Sequence, residues 1–492
     1  MTEEEYAQLA TACDRLLRAP GSSLGRLAIP GLHVINEHPG TLAQYIPLLQ
    51  KSAIDDLTHA PRSALRIARG LGRSLSAATP AAPGQADVLI VSHLSNPTQL
   101  DQHDDFYFGP LQSLLQERGV SSLLVLINHL PYEPANPGLR SRIVLPRGVA
   151  PATELRIWGQ CIVAARQLRQ ETSDVEVARF ASRQALSAST AINLRTHATL
   201  STLCRKLNPA IVITTYEGDA GERLIWHAAR TAKRRPLCVG YQHARLLQHA
   251  HAIRRRVGAP GLDCDPDVVL TLGTITRRML AASPEFGPTR LIEYGSHRTA
   301  LAPAADLPRP EDRPRQCVVL PDADDQECAS LFNFAVTTAG HRPDIRFVLR
   351  PHPMVDAVAL RRRHATLRSL PNNVTLSADT PLSDDLSQAR YCLYRSSSAA
   401  VLAVQAGIKP FYLARPAELP IDALFELTSW RETVTSPDEL NTRIRAADDT
   451  PDREAAARAS ELYRHYSSAV RPAAIDELLT ISRSAATDSP GC

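Results

Sequence analysis

Short apolar runs alternate along the chain with polar, helix-patterned stretches. The first run spans residues 87–93 (DVLIVSH) and the second residues 123–127, with a helical pattern over residues 111–118 between them. Strands buried on both faces read as unbroken apolar runs, and their alternation with helix-length segments predicts βαβ units in a parallel sheet. The series continues with strands at residues 210–214, 237–240, 268–272 and 290–294, and with helical patterns over 160–205 and 220–232. A second series has strands at 316–320, 345–349, 391–394 and 410–413, a helix after residue 398 and another over 437–447. Between the two series lies TALAPAADLPRPEDRPR (299–315), whose Pro and Ala content predicts a hinge. The pattern therefore predicts an α/β chain of two Rossmann-like halves, residues 81–300 and 301–450, facing a central cleft. Residues 1–80 are expected as an N-terminal helical extension, and 451–492 as terminal helices with a disordered tail.

Composition narrows the functional classes. A chain of 492 residues exceeds a single hydrophobic core, so two or three domains are expected. The net charge of +4 is too small for a nucleic-acid footprint, and basic residues are not interleaved with aromatics, so no nucleic-acid partner is expected. The nine cysteines show neither CxxC nor zinc spacing and read as reduced, buried thiols. The opening MTEEEYAQLATACDRLL is acidic and amphipathic, unlike a signal peptide, and no run of about eighteen apolar residues occurs. A cytoplasmic location is expected, with peripheral contact at the inner face of the membrane at most. Residues 62–73 (RSALRIARGLGR) carry four arginines among apolar positions: either a basic amphipathic helix on anionic lipid or a solvated packing helix, weakened by Gly70 and Gly72.

Candidate chemistry sits at the ends of the expected strands, where open α/β sheets bind ligands. The strand 345–349 delivers Arg350 and His352 into a Pro-flanked loop, and the strand 391–394 runs into Ser396, Ser397 and Ser398 before an Ala-rich helix. Hydroxyls beside free helix N–H groups form an anion site that needs no metal, so these residues read as two halves of a phosphate cradle. The plainer alternative is an N-cap and a hydrogen-bonded loop histidine. In the first half, Glu217 ends an apolar strand before Gly218, as a general base would, or else caps the helix that follows. Asp219 and Asp104 are rival bases. Glu222 reads as an ion-pairing helix residue or as part of the same site, and His243, after the strand 237–240, as a cleft residue or a structural histidine. His93, Asp104, Tyr107 and Gly109 would suit a hydroxyl-rich acceptor, or form a lid loop without contact to it. Asp322 and Asp324 form a DxD; with Asp325 they read as caps of the next helix, and neither a metal nor another cofactor is expected.

The sequence Arg-Pro-His-Pro after a strand, then a strand with a serine turn and an Ala-rich helix ending in Gly407, resembles the second domain of GT-B glycosyltransferases. It is most similar to the bacterial sialyltransferases, polysialyltransferases and β-Kdo transferases of capsule and lipopolysaccharide synthesis. The resemblance implies a GT-B-like fold with an acceptor domain over 81–300 and a nucleotide-sugar domain over 301–450. It implies donor phosphate binding by His352 and Ser396 to Ser398, and base chemistry at Glu217, whose Tyr-Glu-Gly-Asp context matches the family's acidic-acidic-Gly motif except at Tyr216. The expectation is an inverting, metal-independent glycosyltransferase using a nucleotide-activated sugar, foremost a CMP-activated acidic sugar such as Kdo or a sialic-acid-like sugar, on a surface glycan or glycolipid acceptor. Alternatives are a UDP-sugar or CDP-polyol transferase, a UDP-sugar 2-epimerase, or a non-catalytic glycan-binding or scaffolding subunit.

Overall fold

The computed structural model describes residues 1–19, 23–33, 72, 85–134, 141–254, 264–283, 289–297, 309–322, 324–353, 355–377, 380–416 and 418–487. Two separate sheets carry the chain. The first has seven strands in the order β3-β2-β1-β4-β5-β6-β7, and the second six in the order β10-β9-β8-β11-β12-β13. Every strand pairing in both is parallel. In each sheet the chain winds outward to one edge, returns to the centre and winds to the other edge, which is the Rossmann order. This is the α/β pair of Rossmann-like halves expected from the apolar runs.

In the first sheet the strands are β1 (Val88–Leu94), β2 (Ser122–Asn128), β3 (Arg142–Val144), β4 (Ile211–Thr215), β5 (Leu237–Tyr241), β6 (Val268–Thr271) and β7 (Arg290–Glu293). In the second they are β8 (Gln316–Leu320), β9 (Arg346–Leu349), β10 (Val374–Leu376), β11 (Tyr391–Tyr394), β12 (Lys409–Leu413) and β13 (Glu432–Val434). Central strands such as β4 and β8 are buried at every position, because helices cover both faces. Val88 of β1 stands between Ser122 of β2 and Ile211 of β4, so the switch in strand order falls between β1 and β4. In the second sheet it falls between β8 and β11.

The helical stretch expected over 160–205 begins earlier and is three helices, Pro151–Arg169, Val175–Ala185 and Ala188–Leu207. Asp174 adopts positive φ and Ser187 caps the third helix by accepting the Thr190 N–H, so the path bends twice. The N-terminal helix Glu3–Arg18 is started by a reciprocal pair: Thr2 accepts from Glu5 N–H, and the Glu5 carboxylate from Thr2 N–H. It buries Tyr6, Leu9, Cys13 and Leu16 against a cluster that includes Phe180 and Leu419. Within the expected extension, residues 20–22, 34–71 and 73–80, including the arginines of 62–73, lie outside the described residues, as do positions 299–308 of the expected hinge and the tail from 488.

The end of the chain ties the halves together. The helix Arg453–Arg464 sits on Ala399–Gln405 through Gln405 Nε2 to the Tyr463 carbonyl (2.7 Å) and Ser460 Oγ to the Gln405 carbonyl (2.7 Å). The helix Ala473–Thr487 then returns to the first sheet, where Arg118 Nε pairs with Asp476 at 2.6 Å and Ile475 and Leu478 join the core of β1 and β2. All eight described cysteines are buried and free. No described helix is long and apolar enough to cross a membrane.

Candidate functional site

Both strand-order switches open on the carboxyl ends of the sheets, and one contact joins those ends. Arg245, in the loop after β5, forms an ion pair with Asp322, in the loop after β8. The same Asp322 carboxylate accepts a 2.6 Å hydrogen bond from Ser396 Oγ, after β11. Asp322 is thus not a helix cap, contrary to the expectation from sequence. The cap is Asp324, which accepts from the N–H groups of Gln326 and Glu327 at 2.9 Å, while Asp325 pairs with Arg363. Among the described residues no group of three His, Cys, Asp or Glu side chains could hold a metal ion.

On the first sheet, β4 ends at Thr215, and Gly218 turns the chain at φ +85 into the helix Ala220–Ala229. Asp219 is the N-cap, accepting from Glu222 N–H at 2.9 Å, and the Glu222 carboxylate accepts from the N–H groups of Glu217, Gly218 and Asp219. Glu222 therefore completes a capping box instead of making a helix ion pair, and the cap role is not Glu217's. Burial, then the charges of Asp219 and Glu217, push the Glu222 carboxyl well above its ordinary value, against the backbone N–H groups that favour its ionised form. Burial likewise pushes Asp219 up.

With Asp219 and Glu222 turned inward, Glu217 keeps 45% of its side chain exposed and meets His243 Nε2 at 3.2 Å. Burial by the surrounding loops raises its pKa, but the hydrogen bond and charge of His243, with His93 and Arg245, outweigh this and hold the carboxyl below its ordinary value. It is ionised at neutral pH, the state a general base requires. His93, at the end of β1, bonds His129 Nε2 through Nδ1 (2.9 Å) and Thr215 Oγ1 through Nε2 (3.2 Å). Burial, then repulsion from His129 and His243, lowers its pKa to about 4, so it is neutral at pH 7. Tyr107 packs edge-on against both His93 (5.7 Å between centroids) and His243 (5.0 Å). The structure thus brings together Glu217, His243, His93 and Tyr107. Asp104 instead bonds His103 on an exposed loop (2.9 Å), and 51% of its side chain is accessible.

On the second sheet, Arg350 follows β9 and is engaged by Asp385 (3.1 Å), Ser377 and Thr380. His352 closes the next turn, its carbonyl accepting from Val355 N–H at 2.8 Å. Cys328, whose thiol donates to the Asp322 carbonyl at 3.1 Å, also meets the His352 backbone, so the Pro-His-Pro turn and the Asp322 loop share one support. Ser396 and Ser397 are buried, and Ser397 Oγ accepts from Ala399 N–H at 3.3 Å. Ser398 is exposed at the N-cap and makes no side-chain cap bond.

Sequence reasoning missed Arg245 and Arg395. Arg395, between β11 and the serines, is buried; it is gripped by Glu327 at 2.8 Å and Glu418 at 2.5 Å, with Arg415 bridging the same two acids. Four charges in a closed network set the start of the serine turn, and their pairing leaves them structural. Adjacency to His243 and to Ser396 was the only signal either arginine offered. A cavity of about 990 Å³ lies elsewhere, at the amino ends of β11, β12 and β13, lined by Arg390, Lys409, Trp430 and Asp448. Its charges pair with one another, as in Arg390–Asp448 and Lys409–Glu432, and it lies at the opposite strand ends from Glu217 and His352.

No family model and no curated protein matches the chain. Among solved structures it is similar to the glycotransferase of kitacinnamycin at 15% identity and a TM-score of 0.46, covering 81% of this chain and 100% of that one. It is similar to a putative UDP-N-acetylglucosamine 2-epimerase from Listeria monocytogenes at 13% identity and a TM-score of 0.46, covering 83% and 99%. The glycosyltransferase SnogD from Streptomyces nogalater aligns at 16% identity and a TM-score of 0.43, covering 81% and 100%.

Proposed function

We propose that the protein is an inverting, metal-independent glycosyltransferase that moves a sugar from a nucleotide-activated donor, foremost a CMP-activated acidic sugar, to a hydroxyl of a surface glycan or glycolipid. One observation carries the reading: an ionised, half-exposed Glu217 paired with His243 at the switch point of the first sheet. The Arg245–Asp322–Ser396 contact supports it by bringing the serine turn of the second sheet to the same side.

In this reading the acceptor oxygen attacks the anomeric carbon from the face opposite the leaving phosphate. The new C–O bond forms as the bond from the anomeric carbon to the phosphate oxygen breaks. The acceptor proton passes to Glu217 Oε, and the nucleotide departs with the bonding electron pair. His352, Ser397 and Ser398 stabilise the charge gathering on that phosphate, while Arg350, through Asp385, fixes the turn that presents His352. His243 holds the Glu217 carboxylate toward the acceptor and keeps it ionised.

The test is a thermal-shift panel of CMP, CDP, UDP and their sugars on the purified protein, followed by assay of CMP-sugar hydrolysis. A ligand that binds only the folded state raises the melting temperature by mass action. CMP or a CMP-sugar is expected to give the largest shift, with slow hydrolysis of the CMP-sugar. A shift with uridine nucleotides alone would move the donor class, and no shift with any nucleotide would overturn the reading.

A further inference from the structure

Two rings out from His243, the partner of Glu217, the fold holds a partly exposed aromatic side chain on a loop that is not free to withdraw it. The loop is Asp105 to Gly109. The buried Asp105 accepts from Tyr107 N–H (2.8 Å) and Phe108 N–H (2.9 Å) through Oδ1, and from Ser92 Oγ of β1 (2.8 Å) through Oδ2. Gly109 N–H closes the turn on the Asp105 carbonyl at 2.9 Å, and Phe108 is buried against Tyr241, 5.6 Å between ring centroids. On this fixed turn Phe106 remains 44% exposed. Its ring stands edge-on to Tyr107 at 5.0 Å, and Tyr107 stands edge-on to His243 at 5.0 Å, so an unbroken aromatic path leads from the Glu217 partner to Phe106. Gln102, Asp104, Asp105 and His297 line a cavity of about 360 Å³ with it.

We propose that Phe106 is the platform of a second acceptor subsite that takes the sugar unit next to the one attacked, so that the preferred acceptor is an oligosaccharide and not a single sugar. This rests on the glycosyltransferase reading above. A pyranose presents an apolar C–H face ringed by hydroxyls. An aromatic face bordered by a carboxylate, an amide and an imidazole matches it, because the ring takes the apolar face while the polar groups pair with the hydroxyls. The exposed carboxylate of Asp104 on the rim disfavours a phosphate-bearing ligand, which separates this site from nucleotide binding. The hydrogen-bonded turn pre-orders the ring, so little freedom is lost when the sugar seats.

The experiment presents the intact protein to an array of mono- to hexasaccharides and repeats it with Phe106→Ala and Phe106→Tyr. Melting temperature and nucleotide thermal shifts are measured on all three. Wild type is expected to retain a set of oligosaccharides but not their constituent monosaccharides. Phe106→Ala is expected to weaken that binding by about tenfold with melting temperature and nucleotide shifts unchanged, and Phe106→Tyr to preserve it. Equal retention by wild type and Phe106→Ala, or no oligosaccharide retained by wild type, overturns the subsite. Loss of the nucleotide shifts in wild type with the Phe106-dependent glycan binding intact supports the subsite and instead defeats the transferase reading, leaving a glycan-binding protein.

Discussion

Replacing Gly218 with alanine tests whether the turn after β4 sets the site. Gly218 sits at φ +85, where an L side chain costs about 1–2 kcal/mol. A Cβ there would lie 2.5 Å from the Ala252 carbonyl oxygen and 2.9 Å from the Ala252 Cβ. Both are parts of a neighbouring chain segment and not the end of a flexible side chain, so the segment must shift, at a further cost of about 1–3 kcal/mol. The sum is about 2–5 kcal/mol. A half of about 200 residues loses roughly 2–4 °C of melting temperature per kcal/mol, so a fall of roughly 4–20 °C is expected. The shift also moves the backbone N–H groups that Glu222 gathers and with them Glu217, and a displacement of that kind costs about a hundredfold in turnover. The control is Gly119→Ala: φ is +69 there, but nothing lies within 4 Å of the added Cβ, so only the conformational cost of about 1–2 kcal/mol applies and activity is retained. Differential scanning calorimetry and a donor-hydrolysis assay on the two variants read both effects. If Gly218→Ala melts and turns over like Gly119→Ala, the turn does not position Glu217 and the reasoning fails.

Three further outcomes are expected. Removing His243 with His243→Ala takes away the partner that holds the Glu217 carboxyl low; its pKa rises, the base is protonated at higher pH, and the acid limb of the kcat/KM profile moves upward in pH. An acid limb that stays in place would show that another group is titrating. His352→Ala is expected to lower turnover about ten- to a thousandfold with melting temperature unchanged, the range for removal of one charge-stabilising donor; full activity would mean that the phosphate sits elsewhere. EDTA is expected to leave turnover unchanged, because the Asp322 carboxylate is already engaged by Arg245 and Ser396; activity lost to EDTA and restored by magnesium or manganese would contradict this.

The central strands were legible because helices bury both their faces, so β1, β2, β4, β5, β8 and β11 appear as continuous apolar runs. The edge strands β3, β10 and β13 have three residues each, too few to display a pattern. In β3 the pattern is also broken by Arg142, a buried cation whose guanidinium donates to the carbonyls of Gln99, Gln102 and His103. Positions of Glu217, His243 and His93 at strand ends followed from the strands themselves. Their partners did not, because the neighbour of a loop residue depends on sheet order. Arg350 stands at a strand end as a ligand-binding cation would, yet Asp385, 35 residues on, pairs with it. Arg245 meets Asp322 across 77 residues, and Arg395 meets Glu327 across 68, pairings that local spacing does not encode. The capping box is different: Asp219 and Glu222 stand at the spacing that announces it, and it is this box that takes two of three neighbouring acids out of contention and leaves Glu217 facing outward.

The assignment of Glu217 as the base is tested most directly by Glu217→Gln, with turnover, donor affinity and melting temperature measured on the one variant. The amide keeps the size of the carboxylate and still accepts a hydrogen bond from His243, but it cannot take the acceptor's proton at neutral pH, so the loss falls on the chemical step. Because the helix cap is Asp219, the substitution removes no cap and the melting temperature should hold. The account predicts transfer nearly abolished with the donor dissociation constant almost unchanged. A stable Glu217→Gln protein that binds donor and transfers sugar at the wild-type rate would contradict it.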